Sequence, residues 1–251
     1  MNPLLISLSS YGAAEVRRHG QAGFARLARD AGADGVEVRS ELLPDAAEAE
    51  LAALAEVGNA RVYSCHEGLW RDDGGLALEA LDLALARTRG LGAQRLKMSI
   101  GGFGAGSAST LVAVRERLAG SDVELLIEND QTPSAGTLPA LKRFFEVAEV
   151  EGLVPGMTFD LGNWHWLGEC PLQAAQALGA RVRYVHCKGV QRLPAKWVAV
   201  PLAESQAPWR AALRTLPAGV PWAIEYPLAG DDLATVTRDQ LAVLRAAADL
   251  P

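Results

Sequence analysis

The chain has no uninterrupted apolar run of eighteen residues, so no membrane-spanning helix is expected. It has no excess of basic side chains either. Its 24 Lys and Arg stand against 30 Asp and Glu, a formal net charge of −6. Neutralising phosphates needs a basic face, so the composition argues against a nucleic-acid partner. Cysteine is sparse: Cys65, Cys170 and Cys187 are odd in number, scattered and outside any zinc-ribbon spacing. That suits a reducing cytoplasm, the expected location, better than a disulfide framework. The opening "MNPLLISLSSYG" lacks a charged region followed by a long apolar one, so a secretory leader is not expected. The first strand-like run leads into "SSYGAAE" and not into the Gly-x-Gly-x-x-Gly turn of an open dinucleotide-binding sheet.

What the chain does have is alternation. Its 251 residues, 49% hydrophobic and 22% charged, suit one domain spanning 1–251 with a large core. Short β-rich runs predict strands over 3–9, 34–39, 60–66, 94–100, 122–128, 156–160, 181–187 and 220–225. Between them, stretches with helical periodicity predict helices over 13–31, 46–57, 74–91, 107–119, 136–151, 171–178, 205–214 and 232–248. Eight sequential β/α units at this length predict an α/β fold, a closed (β/α)₈ TIM barrel. The longest irregular stretch is 188–204.

Barrel enzymes build their sites at the C-terminal ends of the strands. Here the second predicted strand carries Glu37 and Arg39, the third ends at His66, and the fourth carries Lys97. The next four end at Glu128, Asp160, His186 and Glu225. Four consecutive staves of a ring can bring these four side chains to one point. Three carboxylates there would repel one another, and a divalent cation would remove the repulsion. Oxygen-rich ligation with one imidazole suits Mn²⁺ or Mg²⁺, with Co²⁺, Zn²⁺ or Fe²⁺ as alternatives. Lys188 shares the inward side with His186. It is a candidate oxyanion partner or a salt bridge to Asp160 or Glu225. Glu37 and Lys97 are candidate substrate contacts or an internal ion pair closing the pore. His66 is a candidate for a substrate hydroxyl or a hydrogen-bonded barrel residue. Trp70, Trp164, Trp166 and Trp197 fall on loops past the strand ends, where flat apolar faces suit a sugar's C–H groups. Trp70 and Trp164 are taken as substrate-binding, and His165 as a rim residue. "SIGGFGAGSAS" is glycine-rich and opens a helix, a weak pattern for phosphate binding.

Motifs along nearly the whole chain resemble the xylose-isomerase-like TIM barrels, a family of sugar isomerases and epimerases. "VELLIEND" resembles the fifth-strand segment with a metal-binding Glu, here Glu128. "GMTFDLGN" resembles the sixth-strand Asp segment, here Asp160, and "VRYVHCKGV" the seventh-strand His-x-Lys/Arg segment, here His186 and Lys188. "VPLAESQAPWRAALRTL" resembles the family's loop and helix after that strand, "VPWAIEY" its eighth-strand Glu, here Glu225, and "DGVEVRSELL" its second-strand Glu, here Glu37. The opening, "ISLSSYGAAEVRRHGQAGF", also resembles epimerases of bacterial 2-ketogluconate utilisation clusters. Two departures stand out. Asn163 replaces a His that reaches substrate, and Ala203 and Ser205 replace two loop glycines.

The resemblance implies an enzyme that moves a proton next to a sugar carbonyl through an enediolate, aided by one divalent metal. Glu128 and Glu225 would be acid and base, and His66, Lys188, Asn163, Trp164, Trp70 and Glu37 would contact substrate. The substrate would be a small carbohydrate, phosphorylated or not, with a homodimer left open. A sugar or cyclitol dehydratase on the same scaffold, or a barrel without turnover, is the alternative. An endonuclease of abasic DNA ranks low, because a multi-zinc cluster needs more than the four histidines present.

Overall fold

In a computed structural model, which describes residues 2–248, the alternating pattern folds as a closed ring. Its strands are β1 (Leu4–Ser7), β2 (Gly35–Arg39), β3 (Ala60–Trp70), β4 (Arg95–Gly101), β5 (Glu124–Glu128), β6 (Gly156–Asp160), β7 (Val182–Cys187) and, last in the chain, β10 (Trp222–Ile224). All neighbours pair in parallel, and β10 closes the ring between β7 and β1. Parallel neighbours need crossovers, which the helices supply. These are α1 (Ala13–His19), α2 (Gln21–Asp30), α3 (Glu48–Val57), α4 (Leu78–Gly90), α5 (Leu111–Leu118), α6 (Leu138–Val150), α7 (Asn163–Trp166), α8 (Pro171–Leu178), α9 (Trp209–Thr215) and α10 (Leu233–Ala248). Among the described residues no helix is long and apolar enough to cross a membrane.

Strand alternation divides the core in two. Outward side chains such as Val36, Val38, Leu125, Ile127 and Phe159 join the helices' apolar faces in one large cluster. Inward ones, Leu5, Val62, Leu126, Tyr184 and Ala223, plug the barrel. Above the plug the inward positions turn polar: Glu37, Lys97, Glu128, Asp160 and His186 are all buried. A hydrophobic floor under a charged upper layer is what places a site at this end.

Three of the departures from the sequence expectation have a plain local reason. The first helix is two, because Gly20 between α1 and α2 has φ +80°, which a right-handed helix cannot contain. Strand β3 runs on to Trp70, past an irregular register between Ser64 and Gly68. The stretch 188–204 contains an antiparallel hairpin of β8 (Gly189–Arg192) and β9 (Trp197–Val200).

Candidate metal and acid–base centre

The four strand-end residues converge. One ligand atom from each of Glu128, Asp160, His186 and Glu225 lies within 4.8 Å of the others. The register explains this. Glu128 is level with Thr158, Asp160 with His186, and His186 with Ala223, so the carboxylates step up from strand to strand. Barrel strands tilt, and the steps offset the tilt to bring the side chains to one height.

His186 is the pivot. Its Nε2 stands 2.7 Å from Glu37 Oε2, and both side chains are fully buried. A carboxylate there accepts the Nε2–H hydrogen bond and leaves Nδ1 to face the other side. Nδ1 has no hydrogen-bond partner of acceptable geometry. It lies 2.9 Å from Glu128 Oε1, 3.1 Å from Glu225 Oε2 and 3.7 Å from Asp160 Oδ2. An orphaned buried nitrogen facing three carboxylates, with its ring held from behind by a fourth, is a donor set that fits a divalent cation.

Cations of the chain surround the same carboxylates. Lys97 binds Glu128. Lys188 Nζ lies 2.8 Å from Asp160 Oδ2 and 2.7 Å from Glu225 Oε2. Arg39 Nη1 lies 2.6 Å from Glu225 Oε1 and 2.8 Å from Glu37 Oε1. Burial raises the carboxyl pKa of Glu37, Glu128 and Glu225, but these cations and His186 outweigh it and hold all three below the ordinary range. Burial alone would lower His186; the facing carboxylates of Glu225 and Glu37 drive it well above its usual value. Burial pushes Asp160 up, opposed by Lys188. Two backbone N–H donors, Gly162 at 2.7 Å and Asn163 at 2.9 Å, also meet Asp160 Oδ1 and favour its charged form. Asp160 thus ends a buried strand as an ionised group with a partner on each oxygen.

The remaining site candidates divide. Glu37 is in the centre, but its ion pair is with Arg39, and its exposure is 0%. Lys97 pairs with Glu128 rather than Glu37. Asn163 is buried, and its amide is spent on the chain: Oδ1 accepts from Gln131 at 3.0 Å and from Lys188 at 3.2 Å, and Nδ2 donates to Asn129 O at 2.9 Å. It props Lys188, which corrects its expected place against substrate. His66 is exposed on the rim and hydrogen-bonded to Ser40 Oγ at 2.8 Å. His165 packs at a 45° tilt against half-buried Trp197, centroids 5.2 Å apart.

Two tryptophans need correction. Trp70 is 1% exposed, donates to Thr110 Oγ1 at 2.9 Å, and packs edge-on against Phe103 and Phe144 in the helix-side core. Trp164 is fully buried beside Phe159. Neither ring reaches the barrel mouth. The glycine-rich segment after β4 is also accounted for by packing. The N–H of Gly102 goes to Trp70 O and that of Gly104 to Ser107 Oγ. A Cβ at Gly101 would overlap the Trp70 carbonyl oxygen.

Sequence reading missed Asn129 and Gln21. Asn129 accepts from the N–H of Asp160 at 2.8 Å and donates to its carbonyl at 3.0 Å, extending the β5–β6 pairing by a side chain. Gln21 does the same for Arg39, with both contacts at 2.8 Å. An amide directly after Glu128 was the one available signal; nothing local marks Gln21.

No family model matches the chain, and no curated protein matches it. Solved structures do. The L-ribulose 3-epimerase structure superposes with a TM-score of 0.74 at 16% identity, covering 99% of this chain and 95% of that one. A probable 3-DHS dehydratase, AsbF from Bacillus anthracis, gives 0.71 at 14% identity over 98% and 99% of the two chains. A 3-keto-D-glucoside 4-epimerase, YcjR from E. coli, gives 0.66 at 15% identity over 98% and 100%. The likeness is one of fold, the closed (β/α)₈ TIM barrel.

Proposed function

We propose that this chain is a divalent-metal-dependent sugar epimerase or isomerase that moves a proton next to a carbonyl. The observation that carries the reading is the convergence of Glu128, Asp160, His186 and Glu225, with His186 Nδ1 unpaired among the carboxylates. These four would hold the ion. When bound, the ion supplies Lewis-acid polarisation of a sugar carbonyl, which acidifies the neighbouring C–H. Glu128 and Glu225 come from the two outer staves of the four, at the end of β5 and just past β10. One carboxylate takes the proton from one face of the sugar, and the other returns one to the opposite face. Return to the same carbon gives an epimer; return to its neighbour gives an aldose–ketose isomer. Lys188, propped by Asn163, presents an ammonium to the charge that develops on the enediolate. A small carbohydrate is the substrate class, and the similarity to two sugar epimerases supports it. The similarity to a dehydratase supports a second reading, in which the same enediolate expels a β-hydroxyl.

Solvent deuterium exchange into a panel of keto sugars tests this, alongside elemental analysis of untreated protein. Exchange with every hydroxyl retained is the expected result, and loss of water selects the second reading. Glu128→Gln should lose both bound metal and exchange. Full exchange in that variant removes Glu128 from the chemistry.

A further inference from the structure

A cavity of about 290 Å³ lies beside the quartet, between the β6–α8 segment and α9. Its walls are Leu161, Leu172, Pro171, Pro208, Ala211 and the indole of Trp209. Lys188 joins it to the site, because it is one of the lining residues and its ammonium holds Asp160 and Glu225. Leu161 also bridges the two, since it follows Asp160 directly. The cavity is therefore no farther from the quartet than one lysine side chain.

The lining is poor in groups that could receive a sugar's hydroxyls. Of its polar members, Glu169 is already bonded to the N–H of Leu138 at 3.2 Å, and the His165 ring packs at a tilt against Trp197. A buried hydroxyl without a partner is unfavourable, so these walls select against bare sugar and for apolar surface. A cavity of about 150 Å³ lined by aliphatic and aromatic side chains is enough to take benzene, so the volume here admits a six-membered aromatic ring. We propose that this cavity receives an apolar, ring-sized substituent carried by the sugar, which makes the chain selective for aryl glycosides over unsubstituted sugars. The proposal rests on the sugar-epimerase reading for the position of the reacting carbonyl.

The test uses the full chain loaded with Mn²⁺ and two probes, the methyl and phenyl β-glycosides of a 3-keto-glucose. Each carries a ring carbonyl flanked by C–H groups, and they differ only in the aglycone. Deuterium exchange should favour the phenyl glycoside in kcat/KM by about tenfold or more, chiefly through KM, as burial of one aromatic ring requires. Ala211→Phe fills the cavity from an exposed helix position, and Leu172→Gln makes its wall polar. Both should bring the phenyl-to-methyl ratio close to one. A wild-type ratio near one, or a ratio that survives both variants, overturns the proposal. If neither probe exchanges, the keto-sugar panel decides the enzymatic reading, and tryptophan-fluorescence titration decides the cavity separately. Tighter binding of the phenyl glycoside, lost in both variants, upholds it; equal or absent binding overturns it.

Discussion

Replacing Glu37 by Gln tests the centre through a residue that does not itself face the proposed ion. The Glu37 carboxylate accepts from three donors: His186 Nε2 at 2.7 Å, Arg39 Nη1 at 2.8 Å and Ser7 Oγ at 3.1 Å. Glutamine keeps the shape but has one acceptor oxygen. If that oxygen stays with Arg39 and Ser7, the amide NH₂ points at His186. Two donors then face each other unless the imidazole moves its proton to Nδ1, the atom that must lose it to bind a cation. A hydrogen bond to a charged group contributes about 1.5–3 kcal/mol, which converts to a loss of roughly 10–100-fold in metal affinity. The fold itself should suffer less, because Arg39 keeps Glu225 and Glu41. The assay is calorimetric titration of chelator-treated protein with Mn²⁺, beside melting curves in the absence of metal. Affinity within about twofold of wild type would refute the reasoning, since His186 could not then bind through Nδ1 with its far nitrogen held by Glu37.

Metal uptake should release a proton. The surrounding carboxylates raise His186 well above its ordinary value, so the metal-free side chain is protonated at neutral pH and the ion must displace that proton. Affinity should therefore fall as pH falls, and titration in two buffers of different ionisation enthalpy measures the protons released. Trp70→Phe loses the Thr110 hydrogen bond and part of a packed ring, so it should destabilise by about 1–3 kcal/mol. Its kcat/KM should stay within about twofold, as a core residue requires, and a large KM increase would return Trp70 to the substrate site. Gly101→Ala meets the Trp70 carbonyl oxygen at φ +57° and should cost about 2 kcal/mol or more, read as a fall of roughly 4–8 °C in Tm.

The barrel was legible because its signals are local and repeated. In "VELLIEND", parity alone separates Leu125 and Ile127, which face helices, from Leu126 and Glu128, which face the axis. The same parity aimed Asp160, His186 and Glu225 at the centre. The two tryptophans were placed by position alone, as loop residues past strand ends, and the structure puts neither on a loop. Trp70 is the last residue of β3, which continues past the register irregularity between Ser64 and Gly68, and Trp164 lies in α7, which starts directly after Gly162. Of the cation partners, those of Lys188 were legible, because it shares the inward side with His186 and meets both Asp160 and Glu225. Lys97 and Arg39 were visible at strand ends, but which carboxylate each one meets depends on side-chain length and barrel stagger, and local sequence encodes neither.

That set of cations bears on how the centre assembles. Glu37, Glu128, Asp160 and Glu225 bring four negative charges into a buried layer. Arg39, Lys97, Lys188 and protonated His186 bring four positive ones, each in contact with at least one of the carboxylates. Uncompensated carboxylates would oppose folding strongly, but here the chain supplies the compensation itself. Folding is then not tied to the ion, as it is in small domains whose only core is a metal. An ion held by the quartet would then bind by exchange on a finished scaffold, in the place of the His186 proton.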